Sequence, residues 1–359
     1  MKICLTGGGS AGHVMPNIAI SESLKKENYE LIYIGSNNEM EKELIEAHSI
    51  PFFSITTGKL KRYHAMSNFK MPFNVIQGIN ESRKILKKES IDLVFSKGGF
   101  VSVPVVLAAH MLKIPIISHE ADMTPGLANK ICIPYSNKVC VSFEHTLSLI
   151  PKEKGVYTGL PIRKEILKGD INKGLSFCSF EPKEINNKFK LLIIGGSQGS
   201  LFINNLIREN IDSLCKYFDI IHSCGKGHLD IRIKNPSYKQ VEFLSEELKD
   251  IYAMSDIIIS RAGANMIYEI MALGKYNLLI PLSKSVSRGD QILNAKACEK
   301  ANLSKVVYEE DIMQNKNVFF NAIKELYDNR NIYKKALSEW KKFDATEKIV
   351  EQINTLMKK

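Results

Sequence analysis

The chain has 359 residues, which at about 100–200 residues per domain is enough for two sizeable cores. Its 44% hydrophobic and 25% charged residues exclude a disordered, collagenous or polytopic membrane chain. Seven scattered cysteines with no Cys-x-x-Cys pair exclude a disulfide scaffold and argue against a zinc or iron–sulfur centre, while the net charge of +10 admits an anionic partner without supplying any DNA- or RNA-binding motif.

Residues 1–6 are too short an apolar run for a signal peptide and read as a first strand, 2–6, that runs into glycines. Short β-rich runs follow at 31–34, 92–96, 115–118 and 139–142, separated by longer helical patterns, a rhythm that predicts βαβ units and a parallel sheet. The segment 57–88 carries eight basic residues against the single acid Glu81, so something anionic is expected to dock there. The most apolar stretch, 101–117, is broken by Pro104, His110, Lys113 and Pro115 and falls short of the ~20 apolar residues that span a bilayer, so no crossing segment is expected. Two glycines and a proline within 155–163 mark a tight connection, and the domain boundary is placed near residue 162. The strand rhythm restarts at 191–194, 220–223, 241–244, 256–260, 278–282 and 305–308, predicting a second doubly wound α/β domain over 163–343. Apolar residues at helical spacing from Thr346 to Met357 predict a terminal helix, 344–359. The cysteines read as reduced, mostly buried thiols of a cytoplasmic protein.

Three glycine-rich turns carry the chemistry. Gly7-Gly8-Gly9-Ser10-Ala11-Gly12-His13 joins the first strand to a helix expected from Val14, the context in which backbone N–H groups cradle a phosphate. A dinucleotide site would also need an acid at the end of the second strand; none comes before Glu39, which counts against a nicotinamide cofactor. Gly195-Gly196-Ser197-Gln198-Gly199-Ser200 opens the second half in the same way, as a phosphate turn with the Ser197 hydroxyl or as a plain strand–helix turn. Arg261-Ala262-Gly263-Ala264-Asn265 leads into a helix whose buried face is expected to hold Met266, Ile267, Ile270 and Met271. Glu269, one turn after Asn265, either accepts two ribose hydroxyls while the helix N-terminus holds a diphosphate, or pairs with Arg261 or a surface lysine. Turns of this kind bind beyond the carboxyl ends of the strands, so the active cleft is expected between the domains.

Residues 8–13, the run His119-Glu120-Ala121-Asp122-Met123-Thr124-Pro125-Gly126-Leu127-Ala128-Asn129, the turn 195–199, residues 261–264 with Glu269, and Gln291 with Asn294 together resemble the MurG family, the peptidoglycan N-acetylglucosaminyltransferases of bacteria. The resemblance runs in order over nearly the whole chain. It implies a GT-B fold, two Rossmann-like doubly wound parallel-sheet domains with an interdomain cleft, and a C-terminal helix returning to the first domain. It also implies inverting transfer of N-acetylglucosamine from UDP to the C4 hydroxyl of N-acetylmuramoyl-pentapeptide on undecaprenyl diphosphate (lipid I), giving lipid II. The first domain then takes lipid I and the membrane, and the second the UDP-N-acetylglucosamine donor.

Carried over by position, the resemblance assigns donor contacts to Ser10, Ala11, Gly12, Asp122, Arg163 and Ser197, to Leu244 through its backbone, to Ala264, Asn265, Met266, Ile267, Tyr268 and Glu269, and to Gln291 with Asp290. One departure is Asp122, where the family run has Asn. The chain has no Asp-x-Asp pair to hold a metal on a diphosphate, so a metal-independent displacement without a cofactor is the expectation, with helix N-termini, Ser197 and arginines stabilising UDP. His13 is expected as the general base, with Glu120 and His119, at a strand end facing the cleft, as competitors; His119 alternatively caps its loop by a backbone hydrogen bond. Lys59, Lys61, Arg62 and Lys70 interleave with Phe69, Met71, Pro72, Phe73, Val75 and Ile76, either as a patch resting on anionic inner-leaflet lipids, which makes the protein peripheral on the cytoplasmic side, or as an amphipathic helix with a solvated face. A UDP-sugar 2-epimerase of similar shape is the alternative enzyme, followed by an oxidoreductase and a non-catalytic UDP-sugar binder.

Overall fold

The computed structural model describes residues 1–9, 11–58, 71–196, 198–340 and 344–357. The chain divides into two compact units, Met1–Arg163 with Asp344–Lys359, and Lys164–Phe343.

The first unit is built on a seven-stranded sheet of β1 (Lys2–Thr6), β2 (Glu30–Ser36), β3 (Phe52–Ile55), β4 (Leu93–Ser96), β5 (Ile116–Glu120), β6 (Lys138–Val141) and β7 (Gly155–Tyr157). Their order is β3-β2-β1-β4-β5-β6-β7, every pair parallel. Central strands covered on both faces must be apolar throughout, and Ile3, Leu5, Leu93 and Phe95 of β1 and β4 are wholly buried. On one face the helix Ala11–Lys26 and the terminal helix Ala345–Met357 share a core in which Val14 and Ile18 join Ile349, Val350 and Ile353. At about 1.5–3 kcal/mol for each large side chain buried, these contacts hold the terminal helix on the first unit, helped by Tyr29 Oη donating to Asn354 Oδ1 at 2.6 Å. The opposite face is closed by the helix Ser102–Met111 and by Leu86 of Met71–Lys88.

The second unit repeats the plan with β8 (Phe189–Ile194), β9 (Phe218–Ser223), β10 (Tyr238–Val241), β11 (Ile257–Ser260), β12 (Tyr276–Leu279) and β13 (Lys305–Val306). The order β10-β9-β8-β11-β12-β13 is again wholly parallel. Both sheets are Rossmann-like: the first strand of each unit has neighbours reached in opposite directions, so a switch point opens beside it, between β1 and β4 and between β8 and β11.

Four elements differ from the sequence expectations. β3 was not anticipated, and β7 lies in the stretch read as a connection; both are edge strands of only four and three residues, too short for a run to stand out. β10 ends at Val241, so Leu244 stands in the loop that follows it. The helix expected from Val14 begins at Ala11, which puts His13 inside its first turn. All seven cysteines are buried free thiols, and no helix among the described residues is long and apolar enough to cross a membrane.

Candidate active site

At the switch point of the first unit, β1 ends at Thr6 and the chain turns through Gly7, Gly8 and Gly9 into the helix bearing His13. Gly9 has φ +88° and its missing Cβ would lie 2.2 Å from the Phe100 ring, so only glycine fits. The turn is held from below by Glu41, a wholly buried carboxylate that accepts from Gly9 N at 2.6 Å, Ser36 N at 3.1 Å and Ser36 Oγ at 2.8 Å. Glu41 sits in the first turn of Glu39–Glu46 because Asn38 caps that helix through Met40 N and Glu41 N. Across the switch point β4 ends in a second glycine turn, residues 97–100, whose Lys97 N donates to Thr6 O at 2.8 Å. Gly99, at φ +83°, lies against the His13 ring: its absent Cβ would meet Nδ1 at 3.1 Å and Gly8 O at 2.4 Å. His13 is therefore half-buried between two glycine turns, beside Gly12 and Ala11. Sequence reasoning missed both supports. The Gly98-Gly99 pair after a strand was a usable signal, whereas nothing local to Glu41 announces a contact with a loop 32 residues away.

The competitors to His13, His119 and Glu120, both stand buried at the end of β5. His119 is wholly buried, with Nε2 2.8 Å from Gly159 O, the loop-capping alternative; burial and the Lys97 charge push its pKa well below the ordinary value. Glu120 is 4% exposed and its carboxylate accepts from Asp122 N at 2.9 Å, Gly126 N at 3.0 Å and Asn129 Nδ2 at 2.8 Å. Burial and the neighbouring Asp122 push its pKa up while those donors pull it back. A carboxylate that accepts from three donors shapes the loop 121–126. Asp122 stands half-buried at the start of that loop, its carbonyl and that of Met123 near Thr146 Oγ1.

In the second unit the turn 195–200 follows β8, with Gly199 at φ +75° and its absent Cβ only 2.1 Å from Cys224 O. Ser200 caps the next helix by accepting from Ile203 N and itself accepts from Arg261 Nη2 at 2.7 Å. Arg261 is a buried brace: it also donates to Ile280 O at 3.1 Å and pairs with Glu309 at 2.5 Å. Its partner is thus Glu309, not Glu269 as the alternative reading had it. After β11 the helix Ala264–Leu273 starts at Gly263 with no side-chain cap, so its first N–H groups and the positive end of its dipole are suited to an anion. Glu269 is half-buried one turn further on, its Oε2 accepting from Tyr252 Oη at 3.1 Å. The buried face also differs from expectation: Tyr268, 3% exposed and edge-on to Trp340, takes the place given to Met266, which is half-buried. Ala264, Ile267 and Tyr268 thus spend their side chains on the core, and Ile267 N already donates to Gly263 O at 3.0 Å, so of these three only Ala264 has its N–H at the open helix end; Asn265, Met266 and Glu269 are half-buried.

Gln291 is half-buried and accepts from Leu282 N at 3.0 Å, Asp290 pairs with Arg288, and Asn294 is buried against Ala262 O. Leu244 is half-buried in the loop after β10, and Arg163 half-buried at the end of the first unit's main segment. Ser10, Ser197, Lys59, Lys61, Arg62, Phe69 and Lys70 lie outside the described residues. Of that patch, Phe73 is 74% and Ile76 56% exposed near the start of Met71–Lys88.

Residues 3–141 match the glycosyltransferase family 28 N-terminal domain and residues 190–353 the glycosyltransferase family 28 C-terminal domain. A curated UDP-N-acetylglucosamine–N-acetylmuramyl-(pentapeptide) pyrophosphoryl-undecaprenol N-acetylglucosamine transferase from Clostridium tetani is 53% identical over 333 residues, 92% of this chain and 91% of that one. Its counterpart from Clostridium botulinum (strain 657 / Type Ba4) is 49% identical over 99% of both chains. The crystal structure of Acinetobacter baumannii MurG superposes with a TM-score of 0.74 over 99% of both chains at 23% identity, the same two-domain GT-B fold. With both halves matched and half the residues identical to such relatives, the chain belongs to glycosyltransferase family 28.

Proposed function

We propose that this chain transfers N-acetylglucosamine from UDP-N-acetylglucosamine to the C4 hydroxyl of the lipid-linked N-acetylmuramoyl-pentapeptide, lipid I, with inversion, forming lipid II for peptidoglycan. The observation that carries the reading is the uncapped N-terminus of Ala264–Leu273 at a switch point with Glu269 one turn behind it, a nucleotide-diphosphate arrangement in a chain half identical to such transferases. The second unit, Lys164–Phe343, takes the donor. Backbone N–H groups at 264–266 and Ser197 meet the diphosphate, Glu269 the ribose, Leu244 the uracil through its backbone, and Gln291 with Asp290 the sugar hydroxyls. Ser10, Ala11, Gly12, Asp122 and Arg163 complete the donor contacts.

The first unit takes the acceptor. The C4 oxygen attacks the anomeric carbon on the face opposite UDP, the bond to the diphosphate breaks with its electron pair leaving on UDP, and the hydroxyl proton passes to the His13 imidazole. The glycine turns on either side hold that ring in place. Lys59, Lys61, Arg62, Phe69, Lys70 and the exposed Phe73 rest on anionic lipid at the inner leaflet, where the C55 chain of the acceptor is anchored. Purified protein is incubated with radiolabelled UDP-N-acetylglucosamine and a lipid I analogue in detergent, and label is followed into lipid. Acceptor-dependent transfer is the expected result; conversion of the nucleotide sugar without acceptor would instead establish the epimerase. His13→Ala is expected to spare UDP binding and to lower turnover by about 10²–10⁴.

A further inference from the structure

Beside the carboxyl end of β2 and across β3, the first unit carries a groove of about 460 Å³ that no ligand contact assigned above uses. Ser36, Asn37, Glu39, Lys42, Phe52 and Ser54 line it. The Phe52 ring lies where a side chain on Gly35 would stand, since a Cβ there would be 2.5 Å from it. That ring stacks on Tyr33, with centroids 5.8 Å and planes 12° apart, and Tyr33 Oη in turn donates to Gly7 O. Ser36 is held to Glu41 through its N and Oγ, and the other oxygen of the same carboxylate holds Gly9 N. The groove is thus fastened to the first glycine turn twice, through Tyr33 to Gly7 and through Glu41 to Gly9, and both supports are wholly buried. Rotamers locked in this way keep the groove and the turn at a fixed separation.

Apart from the Phe52 ring the lining is polar, and burying it under an apolar chain would cost its hydrogen bonds to water. A diphosphate fits poorly: Lys42 is the one cation in the lining, Glu39 stands three positions before it, and Asn38 already caps the helix N-terminus between them. Lys42 Nζ lies 4.0 Å from Glu46, at the limit of an ion pair, and an ammonium has three donors. Asn37, Glu39, Lys42 and Ser54 are all exposed. An amide, a carboxylate, an ammonium and a hydroxyl together match the groups of a peptide.

We infer that this groove is the subsite for the peptide stem of the acceptor, with Lys42 on a stem carboxylate, Asn37 and Ser54 on its amides, and Glu39 on one of its N–H groups. The inference rests on the lipid I reading above. The stem branches from the same sugar whose C4 hydroxyl reacts. A seat for it that is tied to Gly7 and Gly9 therefore sets that sugar against the turn leading into the His13 helix.

The test uses a lipid I analogue with a diazirine on the third residue of its stem, irradiated on the wild-type protein, and the cross-links are mapped by mass spectrometry. Cross-links are expected within 36–42 and 52–54; cross-links elsewhere, or none, would overturn the inference. In acceptor-dependent transfer, Lys42→Glu turns an exposed attraction into a repulsion and is expected to raise the KM of the pentapeptide acceptor about three- to tenfold. Ser54→Trp fills the groove from an exposed position and should raise it further, with the KM of the donor unchanged in both variants. On an acceptor whose stem is cut to one residue, both variants should match wild type. Shifts of equal size on the two acceptors, or no shift on the pentapeptide acceptor, would also overturn the groove. Should wild type not turn over the cut acceptor, the cross-links decide. An inactive wild type would take down the glycosyltransferase reading and the groove with it, whereas an active wild type whose stem cross-links elsewhere removes only the groove.

Discussion

Glu120→Gln separates an organising carboxylate from a catalytic one. The side chain of Glu120 accepts from Gly126 N and Asn129 Nδ2 on Oε2 and from Asp122 N on Oε1. A glutamine keeps the shape but has one acceptor oxygen, so its best orientation preserves the Oε2 pair and turns an NH2 group on Asp122 N. One N–H is then left unsatisfied, at about 1–3 kcal/mol, and the two remaining bonds lose their charge assistance, about 1 kcal/mol each. Relief of burying a carboxylate, whose cost shows in the raised Glu120 pKa, offsets part of this and leaves a net loss of about 2 kcal/mol. In a unit the size of Met1–Arg163 with Asp344–Lys359, that is about 4–8 °C in the melting transition, read by scanning calorimetry. Turnover is measured on the same samples. A general base replaced by its amide would lose about 10²–10⁴ in kcat with melting unchanged. A melting point within about 1 °C of wild type together with a hundredfold fall in kcat would refute the organising role.

Three further outcomes follow from the second unit. Glu269→Ala should weaken UDP binding about tenfold or more in a calorimetric titration, the worth of charge-assisted bonds to ribose, and unchanged affinity would remove it from the donor site. Gly199→Ala forces a Cβ to 2.1 Å from Cys224 O at φ +75°, so the unit should lose about 3 kcal/mol or more; a wild-type melting curve would show that the turn can move aside. His222 is buried between Asn204 Oδ1 and Tyr238 Oη, and burial holds its pKa down to about 3 against an ordinary 6.5. The unfolded chain therefore binds a proton that the folded one refuses in that window. His222 stabilisation is whole above about pH 6.5 and is lost by about 1.4 kcal/mol per unit as pH falls toward 3. Urea unfolding of His222→Gln should show a shallower acid slope than wild type, and equal slopes would assign the acid sensitivity elsewhere.

The parts legible in the sequence are those whose signal is local. Apolar runs bounded by glycine mark β1, β8 and β11 because a central parallel strand is buried on both faces and must be apolar residue by residue. The glycine turns after them announce themselves because positions such as Gly9 and Gly199 leave no space for a side chain. The ordered motifs identify the family for the same reason. Edge strands β3 and β7 escaped because four and three residues are too few to form a distinct run, apolar though most of them are.

Tertiary structure alone decided which polar side chains are free for chemistry. His119 and Glu120 end a strand like candidate catalysts, but the loops at Gly159 and Gly126 and the helix bearing Asn129 use their polar atoms. Arg261 is next to the helix N-terminus in the chain, yet Glu309, 48 positions away, is its partner. Glu41 and Lys97 carry no motif and reach the first glycine turn only because β2 and β4 flank β1. Composition and spacing show which residues a chain owns and which turns it must make. Whether a charge is exposed, paired or stranded depends on what the other strands bring beside it, and that is set by the order of the sheet.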